Sequence, residues 1–156
     1  MILRGEKKVI VIGSGATAVT LVPEMSKKAS KVIMLQRSPT YVITLPSVDV
    51  IAKFLRKILP EKVAYHLVRW KNILFSIGFY GAARKWPDGV RRFIQKGIKK
   101  EVGEKYNQKD FDPPYNPWDQ RLCLVPDSDL FQSLKEGKAE IVTDHIERFT
   151  EKGILL

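Results

Sequence analysis

Apolar residues first gather in an unbroken run, Val9-Ile10-Val11-Ile12, between Lys7-Lys8 and Gly13. Such a run, bounded by charge and by glycine, predicts a strand buried on both faces, as in a parallel sheet. A helix follows, from about Gly15 to Met25 or Lys28. Pro23 falls inside it, where a missing N–H should kink or shorten it. Lys31 to Gln36 is again largely apolar and predicts a second strand, with Ser38-Pro39-Thr40-Tyr41 as the turn leaving it.

From Ile51 the period lengthens. Ile51, Phe54, Leu55, Ile58 and Leu59 follow helical spacing, with Lys53, Arg56 and Lys57 on the outer face and Pro60 as the stop. Glu61 to about Tyr80 is apolar on most sides. His66, Arg69, Lys71 and Asn72 interrupt it, and charge is expensive in lipid, so a buried helical hairpin is expected rather than a membrane span. Trp86-Pro87-Asp88-Gly89 predicts a turn. Val90 to Val102 predicts a basic amphipathic helix with Val90, Phe93, Ile94 and Ile98 inward.

Asp110 to Asp119 is a proline-rich aromatic loop. Beyond Arg121, Leu122 to Val125 suits a strand. Ser128 or Asp129 suits the cap of a short helix reaching Glu136 and closed by Gly137. Ala139 to Val142 suits a third sheet strand, and Ile146–Thr150 could pair with Ile154–Leu156 across Glu151-Lys152-Gly153.

The chain has 156 residues, enough for one domain with a real core, and a single cysteine, Cys123, which excludes an internal disulfide and fits a reducing compartment. Met1 to Lys8 is short and charged, without the apolar stretch of a secretory leader, so a cytoplasmic location is expected. The formal net charge is +10, from 27 Lys and Arg against 17 Asp and Glu. Residues 51–107 hold 14 basic and 4 acidic residues, so the whole excess sits on the central block. Nucleic acid, an anionic membrane or an acidic protein surface are the partners that such a block invites. Nucleic acid is disfavoured, because no basic and aromatic interleaving or recognisable module is present.

Gly13, Gly15 and Ala18 fall on the G-x-G-x-x-G/A spacing where a strand turns into a helix. Gly13 allows the tight turn, Gly15 lets backbone approach a pyrophosphate, and Ala18 lets helix pack near strand. Backbone N–H groups and the helix dipole then face phosphate. At the tip of the second strand an NAD-preferring fold usually places a carboxylate for the ribose hydroxyls. Here stand Arg37 and Ser38, and a guanidinium grips a 2′-phosphate, so NADP is expected over NAD. The fold class implied is α/β, an incomplete Rossmann-like doubly wound parallel sheet. It is divided into a nucleotide-binding unit (residues 1–45 and 108–156) and an inserted basic helical block (residues 46–107).

Other chemistry is thin. His66 and His145 lie far apart without metal-ligand spacing, so no metal site is expected. Cys123 lacks a C-x-x-C partner, and no G-x-S-x-G elbow occurs. No tyrosine–lysine pair of the short-chain dehydrogenase kind is present.

Gly-Ser-Gly-Ala-Thr-Ala-Val-Thr-Leu-Val-Pro (13–23), Met-Leu-Gln-Arg-Ser-Pro-Thr-Tyr (34–41), Pro-Trp-Asp-Gln-Arg-Leu-Cys (117–123), Pro-Asp-Ser-Asp-Leu-Phe (126–131) and Val-Thr-Asp-His-Ile-Glu-Arg-Phe-Thr (142–150) resemble class B flavoprotein monooxygenases. The likeness is to Baeyer–Villiger monooxygenases of the ethionamide-activating type and runs from about Lys7 to Leu156. It implies one dinucleotide domain for FAD and one for NADPH. NADPH reduces the flavin, and a C4a-peroxyflavin then oxygenates a ketone, sulfur or nitrogen. Carried over by motif, Gly13, Ser14, Gly15, Ala16, Thr17 and Ala18 would form the pyrophosphate turn. Gln36, Arg37 and Ser38 would select the 2′-phosphate. Arg121 would lie where the family places a catalytic arginine, the alternative being a structural arginine that ties down the proline-rich loop.

The sequence departs from the family in lacking its FAD fingerprint, its inter-domain signature and the late Ala-Thr-Gly strand. The chain is thus expected to be the NADPH-binding portion of such an enzyme, inactive alone, and either a fragment or a subunit that meets a flavin-binding domain in trans. The alternative is a non-catalytic module whose basic helices meet an anionic membrane or an acidic protein.

Overall fold

The computed structural model describes residues 7–120, 122–151 and 153–156. Strand β1 (Lys8–Ile12) leads through Gly13 into helix α1 (Ala16–Ser26) and back to strand β2 (Lys31–Gln36), which lies parallel to β1 with Val9 opposite Val32. The helix keeps its length despite Pro23. It buries Ala18, Val19, Val22 and Pro23 itself, and the Ser26 hydroxyl donates to the Pro23 carbonyl at 2.8 Å. Packing of an apolar face outweighs one lost backbone bond.

Beyond Pro39 the expected turn is shorter than the sequence suggested. Tyr41 opens a strand, β3 (Tyr41–Leu45), and is fully buried, with its hydroxyl donating to the Tyr115 carbonyl at 2.8 Å. Three helices follow: α2 (Val50–Ile58), α3 (Glu61–Lys85) and α4 (Pro87–Val102). Pro60 separates the first two as expected. Trp86 alone separates the last two: Pro87 and Asp88 are the first turn of α4 rather than a free-standing turn, since proline suits the first helical position, where its missing N–H costs nothing.

Burial of the helical block departs from expectation. Along α3 the buried residues are Ala64 and Ala83; Val68, Ile73 and Phe79 are half-buried, and its other large apolar side chains stand in solvent. Helix α4 does join the core, through Ile94, Ile98 and Val102, but Phe93 points outward and is 71% exposed. The neighbours at i+1 and i+5, Ile94 and Ile98, set the buried face, and Phe93 falls to its side.

Two short 3₁₀ turns, Gly103–Lys105 and Gln108–Asp110, and the proline-rich loop lead to β4 (Leu122–Pro126), which pairs parallel with β3 as a separate two-stranded sheet. Helix α5 (Asp129–Lys135) begins at Ser128, but the serine makes no side-chain cap. Its backbone is left-handed (φ 61°), and its hydroxyl is hydrogen-bonded to that of Thr44 at 2.8 Å. Strand β5 (Ala139–Thr143) pairs parallel with β2, giving the three-stranded order β1-β2-β5. Strands β6 (Arg148–Thr150) and β7 (Gly153–Leu155) form the expected antiparallel pair, with Lys152 of the turn outside the described residues.

That order puts β1 at an edge. Its apolar run is therefore not buried on both faces: Ile10 is 40% and Ile12 55% exposed. The core lies on the other side of the sheet, where Val19 and Val22 of α1, Val32 of β2, Leu130 and Phe131 of α5 and Ile98 of α4 pack together.

Candidate functional site

Three connections converge at the carboxyl ends of the parallel strands. β1 runs into Gly13-Ser14, β2 into Arg37-Ser38 and β5 into Asp144-His145-Ile146; with Ile12 and Leu35 these residues line an open cleft of about 440 Å³. Carboxyl strand ends are where open α/β sheets take their ligands.

Gly13 has φ 124°, and its N–H donates to the Leu35 carbonyl at 2.7 Å. A Cβ added there would meet nothing within 4 Å, so backbone conformation, not space, requires glycine. Gly15 then caps α1 with extended backbone and no side-chain acceptor, and the first turn carries no acidic residue. The leading N–H groups of Ala16, Thr17 and Ala18 thus have no intrahelical acceptor, and the positive end of the helix dipole is not offset by a local carboxylate. Ala18 itself is buried under the sheet, while Ala16 and Thr17 are exposed.

Ser14 has a different part from the rest of the turn. Its side chain is buried, with the hydroxyl donating to the Ser38 carbonyl at 3.2 Å and hydrogen-bonded to the Thr40 hydroxyl at 3.3 Å. The Cys123 thiol donates to the Ser14 carbonyl at 3.9 Å. The glycine turn and the Arg37-bearing connection are therefore stapled together through a serine.

Arg37 and Ser38 are exposed at the cleft, and among the described residues no carboxylate pairs with Arg37. Gln36 is turned away from them. Only 2% exposed, its amide donates to the Asp110 carbonyl at 3.0 Å and to the Thr143 hydroxyl at 2.9 Å. Thr143 in turn donates to the Asp110 carboxylate at 2.6 Å. This buried triad ties the ends of β2 and β5 to the second 3₁₀ turn. The Gln36 carbonyl also accepts the Asp144 N–H at 3.0 Å. Gln36 thus sets the positions of the two connections from beneath and does not line the cleft.

Asp144, His145 and Ile146 were not assigned to a site from the sequence, where they stand only within the 142–150 stretch and His145 only as an unsupported metal ligand. The Asp144 carboxylate accepts the His145 N–H at 2.8 Å, which fixes the bend out of β5. A signal for them existed, since a third parallel strand ending at Val142 must deliver its next residues to the same edge.

Arg121 lies outside the described residues. The loop before it is tied down by arginines of the helical block. Arg91 donates to the Asp112 carboxylate through Nε at 2.7 Å and through Nη2, and to the Pro113 carbonyl at 2.9 Å. Its hydrogen bonds to Asp112 raise the Arg91 guanidinium above its ordinary pKa. Arg84 pairs with Asp119 at 2.6 Å.

A second, apolar groove of about 590 Å³ lies between β3, β4, α3 and α4, walled by Phe75, Phe79, Phe93, Trp118 and Leu124. None of the described nucleotide-site candidates, Gly13 to Ala18 and Gln36 to Ser38, lines it. Among the described residues no helix is long and apolar enough to cross a membrane.

Known proteins bear on the cleft. No family model matches the chain. It is 53% identical over 152 residues to the FAD-containing monooxygenase EthA of Mycobacterium tuberculosis, covering 96% of this chain and 31% of that protein. It is 54% identical over 151 residues to a protein of Acinetobacter baylyi named "Probable FAD-binding monooxygenase AlmA", covering 96% of this chain and 30% of that one. Among solved structures, an oxidized steroid monooxygenase bound to NADP superposes with a TM-score of 0.69 at 19% identity, over 99% of this chain and 36% of its own. A complex of OTEMO with FAD and NADP gives 0.67 at 15%, over 99% and 36%. The chain is homologous to a segment of FAD-containing monooxygenases and spans about 30% of the length of these curated relatives. The solved structures show that it shares their α/β fold with a parallel sheet and a helical block.

Proposed function

We propose that this chain is the NADP(H)-binding portion of a flavin-dependent monooxygenase. One observation carries the proposal: the glycine turn, an arginine that no carboxylate among the described residues pairs with, and an acid-free helix start meet at a single cleft on the carboxyl edge of the sheet. These residues fit the nucleotide. The N–H groups from Gly13 to Ala18 would receive the pyrophosphate, and Arg37 with Ser38 would receive the 2′-phosphate by charge-assisted hydrogen bonds. Ser14 and Gln36 would act by holding those two segments in place. Arg121 keeps its catalytic assignment only through family likeness.

Bound NADPH supplies a hydride, and flavin-dependent oxygenation needs FAD as well. The sequence carries one dinucleotide turn, so FAD would have to be held by another domain, and the chain alone would oxygenate nothing. Residues 1–45 and 108–156 are proposed as the nucleotide-binding unit and 46–107 as an insertion in it, with α4 packed into the shared core.

Thermal unfolding with and without nucleotide tests the binding claim. A ligand at about 100-fold over its Kd stabilises by roughly 2.7 kcal/mol. A rise with NADPH that NADH does not reproduce supports the site; no rise with either rejects it. NADPH consumption by the chain with added FAD and a ketone would refute the claim that it is inactive alone.

A further inference from the structure

The outer side of α3 carries an apolar stripe that nothing described here covers. Val63, Leu67, Trp70, Leu74 and Ile77 recur at i, i+4, i+7, i+11 and i+14, one face of a helix, and are 47, 47, 59, 62 and 62% exposed. At 1.5 Å per residue the stripe is about 21 Å long. Helix α2, packed beside α3 and joined to it through Pro60, repeats the pattern with Val50, Ile51, Phe54 and Ile58, all exposed.

Charge identifies what such a surface fits. Residues 50–85 contain eight Lys or Arg against a single acid, Glu61. Lys71 is paired with Asp49 and Arg84 with Asp119. Lys53, Arg56, Lys57 and Lys62 pair with no carboxylate among the described residues. A protein interface over this hairpin would have to desolvate or match these cations, whereas an anionic lipid surface takes apolar side chains at the acyl boundary and leaves long basic side chains among its headgroups. Helix α2, apolar on one side and basic on the other through Lys53, Arg56 and Lys57, has the two-sided pattern of a helix lying in that plane, and α3 sets Trp70 and its stripe beside it.

We propose that the α2–α3 hairpin is a docking surface for an anionic membrane, laid flat with its Val63-to-Ile77 stripe in the interface. The nucleotide cleft plays no part in this contact, so the two sites can be lost separately.

Flotation of the whole chain with vesicles tests the proposal, using phosphatidylcholine alone and phosphatidylcholine with phosphatidylglycerol. Each basic side chain near an anionic surface contributes about fivefold to binding. Binding to the mixed vesicles should therefore exceed that to phosphatidylcholine at least tenfold and fall steeply with added salt. The double variant Leu67→Glu, Leu74→Glu changes exposed positions only; it should unfold at the same temperature as the parent and fail to float. Absence of flotation by the parent, or equal flotation of the folded double variant, overturns the proposal. A concentration-dependent dimer of the lipid-free chain that the double variant breaks, without flotation, would assign the stripe to a second copy and overturn it too.

Discussion

Thr143 offers a sharp test of how the cleft is held, because its hydroxyl is the joint of the buried triad. It donates to the Asp110 carboxylate at 2.6 Å and accepts from the Gln36 amide at 2.9 Å. Thr143→Val keeps the side-chain shape and deletes both bonds. A hydrogen bond to a carboxylate contributes about 1.5–3 kcal/mol and a neutral one about 0.5–1.5, so the loss should total about 2–4.5 kcal/mol. No cavity adds to this, since valine fills the same space. Urea unfolding followed by circular dichroism would read the loss directly. In thermal melts it corresponds to a fall of roughly 6–12 °C for a chain of this size. Thr143→Ser, which retains the hydroxyl, should lose only about 1 kcal/mol for its missing methyl group. Because the triad fixes the strand ends that carry Arg37 and Asp144, the valine variant should also bind NADPH more weakly. A loss below about 0.5 kcal/mol would refute the claim that the triad organises this edge.

Three further outcomes follow from single residues. Gly13→Ala should cost about 1–3 kcal/mol through backbone strain alone, since φ is 124° and a Cβ there meets no neighbour; denaturant melts would reveal it. Tyr41→Phe should cost about 0.5–1.5 kcal/mol in the same assay, because it removes the 2.8 Å bond to the half-buried Tyr115 carbonyl. Asp49 caps α2 through the Ala52 N–H at 3.0 Å and pairs with Lys71, and the hydrogen bond from Lys71, with that from Ala52, holds its carboxyl below the ordinary 3.8. A depressed pKa contributes stability that is present above the unfolded value and is lost as pH falls below 3.8 toward the folded one. Asp49→Asn should therefore flatten the acid limb of a melting-temperature profile.

The β1–β2 part of the fold was largely legible in the chain. The β1-turn-α1-β2 unit is local, so the Val9–Ile12 run, the glycine spacing and Arg37 at the strand tip carry their own instructions. What burial each element receives is not local. The same apolar run predicts a central strand, yet the β1-β2-β5 order leaves Ile12 half exposed. The strand Tyr41–Leu45, which begins at the last residue of the expected turn Ser38–Tyr41, has no local signal because its partner, Leu122–Pro126, lies some eighty residues away. Helix α3 has the composition of a buried helix, and only the arrangement of its neighbours decides that Trp70 and Leu74 stay outside. At the site, the residue types of Gln36 and Ser14 gave no hint of direction. Both point inward, as scaffolding for the turn and the arginine beside them.

Calorimetric titration of the chain with NADPH and NADH, before and after Arg37→Ala, tests the central claim most directly. The account predicts that NADPH binds at least tenfold more tightly than NADH, the equivalent of one charge-assisted hydrogen bond of about 1.5–3 kcal/mol, and that Arg37→Ala erases this preference. Equal affinity for the two nucleotides in the parent chain, or a preference that survives the loss of Arg37, would contradict it.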